Sequence, residues 1–107
     1  MNPRENALKT FRAPPENHNC AQCVAAAFGR EDLVSALKDC GGGRAPDGVC
    51  GALYAALQIA SEEKRAGIAR EFAAKNGSEK CRELKQRFRV PCPQCVATAA
   101  DLLSASE

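Results

Sequence analysis

The sequence contains no tryptophan, and four phenylalanines and one tyrosine are its only aromatic residues. Alanine is prominent among the apolar residues, so each contact between secondary-structure elements would bury little surface. Apolar residues still make up 45% of the chain, which favours folding over disorder. We therefore expect one compact domain over residues 1–107 with a thin core, which a metal, a cluster or a second subunit would help to stabilise.

Long apolar runs and a strong charge imbalance are also missing. No run of about 18 apolar residues occurs, so no membrane-spanning helix is predicted. Residues 1–6 lack the apolar stretch of a secretory signal, which favours a cytoplasmic location. The formal net charge is only +2, and this near balance gives no argument for nucleic acid or an anionic membrane as a partner.

Strand-like alternation is almost absent, because the only β-like stretch, residues 88–90, is too short. Apolar residues at helical spacing instead predict an all-α fold, a single compact bundle of five or six short helices. Residues 1–18 are polar and contain prolines, and we expect an arm or loop there, with room for a short helix at residues 5–11. Further helices are predicted at residues 20–28, 31–40, 49–60, 62–76, 79–88 and 92–103.

Cysteine, in contrast, is abundant, with seven in 107 residues. In a secreted protein this density would indicate a disulfide framework, but the number is odd and no export signal is visible. In a reducing compartment the same density indicates metal binding or redox chemistry. The seven are Cys20, Cys23, Cys40, Cys50, Cys81, Cys92 and Cys95.

Two C-x-x-C motifs, Cys20/Cys23 and Cys92/Cys95, stand at predicted helix N-termini. Residues three apart share a helix face, so both sulfurs of a motif can reach one metal or one partner. The helix dipole and the unpaired amides at such a position stabilise the thiolate over the thiol. Valine follows each motif, so the C-x-x-C-H signature of covalently attached haem is absent.

Three chemistries remain open at this point. The four sulfurs of the two motifs could form a tetrahedral site for zinc, and soft thiolates would also suit copper(I). One motif could supply the nucleophilic and resolving thiols of a thiol–disulfide oxidoreductase. Several cysteines could instead ligate an iron–sulfur cluster, and the glycines beside Cys50 would let backbone amides approach a cluster sulfur. A cluster protein of this kind need not turn over a substrate, whereas an oxidoreductase would, so the sequence leaves enzymatic activity open.

The order of these residues resembles the redox-active family named for its C-GCAxxG-C-C cysteine pattern, from residue 17 to residue 104. The matching stretches are Asn19-Cys20-Ala21-Gln22, the glycine run 41–43, Cys50-Gly51-Ala52-Leu53, residues 71–72 and 81–84, and Cys92 with the apolar residues that follow it.

By this resemblance the family cysteines are Cys20, Cys50, Cys81 and Cys92. The resemblance implies that they share one redox or metal centre on an all-helical domain, with an iron–sulfur cluster as the leading cofactor. Cys23, Cys40 and Cys95 are additional to the family pattern. Among these, Cys23 and Cys95 are the substitute ligands, because each follows a family cysteine by three residues.

We therefore predict a redox-active electron-transfer protein that works with a redox partner protein. A thiol–disulfide oxidoreductase and a zinc- or copper(I)-binding protein are the alternatives, and the thin core is also compatible with a homodimer. His18, the only histidine, could be a ligand or a proton carrier, although a single loop histidine usually faces solvent. A basic run could steer an acidic partner or simply be a solvated face; it consists of Arg82, Lys85, Arg87 and Arg89.

Overall fold

The computed structural model describes residues 2–15, 17–41 and 44–106, without the Ser106 side chain, and these ranges contain seven α-helices and no strand. The predicted all-α fold is confirmed. The helices are α1 (Pro3–Thr10), α2 (Cys20–Ala27), α3 (Glu31–Ala36), α4 (Gly51–Ile59), α5 (Glu62–Asn76), α6 (Cys81–Gln86) and α7 (Cys92–Ser106), with a 3₁₀ turn at Pro46–Gly48.

Seven helices are one more than the upper end of the expected five or six, because part of the predicted N-terminal arm is helical. Asn2 caps α1, and its side chain accepts a hydrogen bond of 2.8 Å from the backbone N–H of Glu5. Pro3 then occupies the first helical position, where a missing N–H costs nothing. Gly42 and Gly43 of the predicted glycine loop lie outside the described residues.

The core lies where α2, α4 and α7 pack on one another in pairs. Only one of its largest fully buried side chains, Phe72, is aromatic, which agrees with the scarcity of aromatic residues in the sequence. The others include Leu53, Leu84 and Leu103. Much of the remaining core is alanine, whose small side chain lets helices approach closely. In the described part of the chain, no helix combines the length and apolar character needed to cross a membrane.

Asn19 fixes the start of α2 and joins it to the end of the α3 region. Its side-chain oxygen accepts a hydrogen bond of 2.8 Å from the N–H of Gln22, and the Gln22 side chain accepts one from the Asn19 N–H at 3.1 Å. This reciprocal arrangement is a capping box. The Asn19 amide nitrogen also donates to the carbonyl oxygens of Leu37 and Lys38, at 3.1 and 2.9 Å.

The starts of α4 and α6 are held side by side by backbone pairing. Val49 and Lys80 form an isolated antiparallel bridge, and the N–H of Cys50 donates to the carbonyl of Glu79 at 2.8 Å. The Lys80 ammonium donates to the carbonyl of Asp47 at 2.7 Å. These contacts bring together two cysteine-bearing helix starts that are far apart in sequence.

Candidate functional site

Five of the seven cysteines line one pocket: Cys20, Cys50, Cys81, Cys92 and Cys95. The first four come from four different helix starts. Cys20, Cys81 and Cys92 are the first residues of α2, α6 and α7, and Cys50 is the N-cap residue of α4. Four helix N-termini therefore meet at the pocket, and the positive ends of their dipoles favour negative charge on these sulfurs.

The other side chains in the pocket wall are the apolar Phe11 and Leu84, the basic Arg12 and Lys85, and the neutral polar Asn19. The pocket holds about 40 Å³. This is room for roughly two or three water molecules and far less than the several hundred Å³ of a pocket for an organic ligand. The small volume of the pocket therefore favours chemistry at the sulfur atoms themselves over the binding of an organic substrate.

Gly51 allows α4 to approach the sulfur of Cys20. A Cβ atom at position 51 would lie 2.7 Å from Cys20 Sγ and 2.6 Å from the carbonyl oxygen of Cys40. At this helix start the backbone N–H of Ala52 interacts with the Cys20 sulfur and that of Leu53 with the Cys50 sulfur. Both amides stabilise negative charge on sulfur, which is the role that amides have around thiolate ligands.

Three thiols of the pocket form a chain of contacts from Cys20 through Cys50 to Cys95. A hydrogen bond to Cys50, followed by burial, raises the pKa of Cys20 far above its ordinary range. The same hydrogen bond lowers the pKa of Cys50, but a second one with Cys95 and burial outweigh this effect and raise it to about 12. Without a metal or an oxidant, Cys20 and Cys50 are therefore protonated thiols at neutral pH.

Cys81 and Cys92 lie next to Lys85. Burial raises the pKa of Cys81, and the positive charge of Lys85 opposes that rise. A hydrogen bond with Cys92 raises the pKa of Lys85, so the ammonium form is favoured beside this sulfur. Cys92 is half-buried, whereas Cys20 and Cys50 are buried, so Cys92 is the more accessible sulfur of the predicted set.

The remaining predicted residues lie outside the pocket lining. Cys23 is fully buried, its thiol donates to the carbonyl oxygen of Cys20 at 3.3 Å, and burial raises its pKa to about 12. Cys40 is half-buried, and burial followed by the charge of Asp39 raises its pKa. His18 is not in the lining, and its Nδ1 atom is buried without a hydrogen-bond partner among the described residues.

The two C-x-x-C motifs thus differ in their surroundings. Both Cys92 and Cys95 line the pocket, whereas only Cys20 of the first motif does so. All seven cysteines are free thiols. Within the residues that the structure describes, no group of three or more His, Cys, Asp or Glu side chains is arranged to hold a metal ion.

Two pocket residues, Arg12 and Lys85, were not predicted to lie at the site. The sequence places Lys85 only in a basic run, although it follows Cys81 by four residues and so shares its helix face. Arg12 follows α1 and has a positive φ of 55°, and no local sequence signal links it to a cysteine. Its place in the pocket wall depends on how α1 packs against α2 and α7.

Comparisons of the chain with protein-family models, with curated proteins and with solved structures found no match. The resemblance to the C-GCAxxG-C-C family therefore remains a prediction from the cysteine pattern. The functional argument that follows depends on the geometry of the pocket.

Proposed function

We propose that this protein is a redox-active electron-transfer protein whose iron–sulfur cluster is held by Cys20, Cys50, Cys81 and Cys92. The observation that carries the proposal is that these four thiols, from four separate helix starts, line one pocket. Iron–sulfur clusters are held by four cysteine thiolates, which is the number of these thiols in the pocket.

The surroundings of the sulfurs also suit an anionic group. The amides of Ala52 and Leu53 interact with two of the four sulfurs, and Gly51 leaves space beside Cys20. Arg12 and Lys85 add positive charge to the pocket wall. A bound cluster would supply one-electron transfer, and these residues would hold it and set its potential. Assembly would also replace the thiol contacts described above.

Anaerobic purification or reconstitution, followed by iron and sulfide analysis and visible absorption, tests the proposal. We expect bound iron and sulfide with broad visible absorption, and loss of most of both in Cys81→Ser and in Cys92→Ser. Cys40→Ser is the matched control, because Cys40 is half-buried and outside the pocket lining. A folded wild-type protein that stays colourless and iron-free after reconstitution would refute the proposal.

A second candidate function is thiol–disulfide exchange at the second C-x-x-C motif, because Cys92 and Cys95 both line the pocket and Cys92 is half-buried. In this reaction two thiols of the chain would transfer two electrons and two protons to a disulfide, forming one S–S bond and releasing two thiols. Metal-free protein would then reduce oxidised glutathione, and peptide mapping would find the new disulfide between Cys92 and Cys95. Absence of exchange would exclude this candidate. Zinc or copper(I) in the same metal analysis would favour the remaining alternative.

A further inference from the structure

Positive charge is concentrated in the segment that joins two pocket cysteines. Residues 80–89 carry five basic residues and one acidic residue, a formal charge of +4, whereas the whole chain has +2. The rest of the chain is therefore net acidic. All five basic side chains are exposed: Lys80, Arg82, Lys85, Arg87 and Arg89.

Ion pairs between described residues do not neutralise this charge. None of the five basic residues forms an ion pair with a carboxylate in the described ranges. Glu83, the only acid of the segment, accepts a hydrogen bond from the Ser78 hydroxyl. Lys80 donates to the Asp47 carbonyl and Lys85 contacts Cys92. The three exposed arginines therefore present most of the positive charge of the segment to solvent.

An aromatic ring lies among these arginines. Phe88 is 42% exposed and is one of two exposed large hydrophobic side chains in the described ranges. A Cβ at Gly77 would lie 2.8 Å from its ring, and the Arg87 guanidinium is 5.4 Å from the ring centroid. The ring is therefore held against backbone on one side. Exposed aromatic and arginine side chains of this kind are enriched at the centres of protein–protein interfaces.

We propose that Arg82, Lys85, Arg87, Phe88 and Arg89, here called the basic patch, dock a redox partner protein through an acidic surface. The redox character of the partner rests on the proposed function. Charge complementarity would speed the encounter, and Phe88 would supply an apolar anchor. Lys85 belongs to both the basic patch and the pocket wall, so a protein docked here would lie close to the half-buried Cys92.

A protein fits these observations better than nucleic acid does. Single-stranded nucleic acid is bound by several stacked aromatic side chains along a basic groove, and the basic patch has one aromatic residue. Double-stranded nucleic acid needs a broad basic face, whereas the largest excess of basic over acidic residues here lies in one short segment.

The test measures binding of the full chain to a small acidic flavin-containing electron-transfer protein, used as the probe, at low and at physiological ionic strength. The charge-reversal variant carries Arg82→Glu, Arg87→Glu and Arg89→Glu, none of which lines the pocket. The control carries Lys64→Glu, Arg65→Glu and Arg70→Glu on α5, an equal charge change on a helix that contributes no residue to the pocket.

We expect wild type and control to bind the probe with an affinity that falls as salt rises, and the basic-patch variant to bind about tenfold more weakly or worse. Equal binding by the two triple variants would overturn the proposal, as would no salt-dependent binding by wild type. Tighter binding of a single-stranded oligonucleotide, lost in the basic-patch variant, would also overturn it.

Iron and sulfide content and thermal unfolding of every variant separate this proposal from the preceding one. An iron-free wild type that still binds the probe through the basic patch would contradict the cluster and retain the docking surface. A protein with full iron and sulfide content whose probe binding is unaffected by the three basic-patch substitutions would contradict the docking surface and retain the cluster.

Discussion

Gly51 and Cys20 are so close that a Cβ atom on the glycine would lie 2.7 Å from the cysteine sulfur. Atoms of real side chains do not approach a sulfur so closely without displacing it. The carbonyl oxygen of Cys40 lies at 2.6 Å from the same Cβ position, so a side chain cannot turn away from the sulfur without meeting the backbone. The position of the Cys20 thiol beside the amides of α4 therefore depends on glycine at position 51.

Gly51→Ala should destabilise the fold and disturb the site. We expect a loss of about 1–3 kcal/mol in the free energy of unfolding, because overpacking forces the backbone or the Cys20 side chain to move. The iron content of the reconstituted protein should fall with it. Urea unfolding and metal analysis measure the two effects.

Gly67→Ala is the control for this substitution. Gly67 lies within α5, and nothing lies within 4 Å of the Cβ position there. Replacing a helical glycine by alanine in open space should stabilise the protein by about 0.5–1 kcal/mol. If both alanine variants raise stability equally, the close contact at position 51 is not a constraint.

Asn19→Ala should cost about 2 kcal/mol, near the upper end of the range for an N-cap residue. The substitution removes the cap of α2 together with the hydrogen bonds to the carbonyls of Leu37 and Lys38. Asn19→Ser keeps a cap acceptor and removes the donors to the two carbonyls, so its loss should be smaller than that of the alanine variant. Denaturant unfolding gives both values.

Asn2→Ala provides a comparison for this cap. Asn2 also accepts a hydrogen bond at a helix start, but it is exposed and its side chain bonds only to Glu5 of its own helix among the described residues. We expect a loss of about 0.5–1 kcal/mol. An equal cost at the two positions would mean that the contacts of Asn19 to Leu37 and Lys38 contribute nothing.

Alkaline pH should destabilise the reduced, metal-free protein, and Cys23 should contribute to that effect. Burial raises the pKa of Cys23 from 9.0 to about 12, so the unfolded chain loses this proton at a lower pH than the folded chain. The contribution of Cys23 to the free energy of unfolding is constant below about pH 9. It falls between about pH 9 and about pH 12, by up to about 1.4 kcal/mol per pH unit.

Cys23→Ala should therefore lower the free energy of unfolding at neutral pH, because it leaves a cavity. It should also make the decrease of that free energy above about pH 9 less steep. Guanidinium unfolding at a series of pH values measures the slope. Cys40→Ala is the control, since the half-buried Cys40 should leave the slope closer to that of wild type. An unchanged slope in Cys23→Ala would contradict the assigned effect of burial.

Helical periodicity was sufficient to predict the fold class, because it is a local property of the sequence. The predicted helix starts at residues 20 and 92, for example, are the starts of α2 and α7 in the structure. Helix ends were less predictable: α3 stops at Ala36, before the predicted end at residue 40, and α7 continues to Ser106, beyond residue 103. Neither end is set by a strong local stop signal.

The candidate site shows the limit of sequence reasoning more clearly. The bridge between Val49 and Lys80 places Cys50 beside the start of α6, and such a pairing depends on contacts that sequence spacing does not reveal. Cys23 and Cys95 occupy the same position in two nearly identical motifs, yet Cys95 lines the pocket and Cys23 does not. The difference comes from how each helix packs against its neighbours.

The convergence of four helix starts has a consequence for the unfolded chain. A group bonded at residues 20, 50, 81 and 92 would close three successive loops and remove much of the conformational freedom that the chain regains on unfolding. The effect would resemble that of several disulfide cross-links, although no sulfur would be bonded to another protein sulfur. A small bundle with an alanine-rich interior could obtain from its redox centre the resistance to unfolding that larger proteins obtain from buried area.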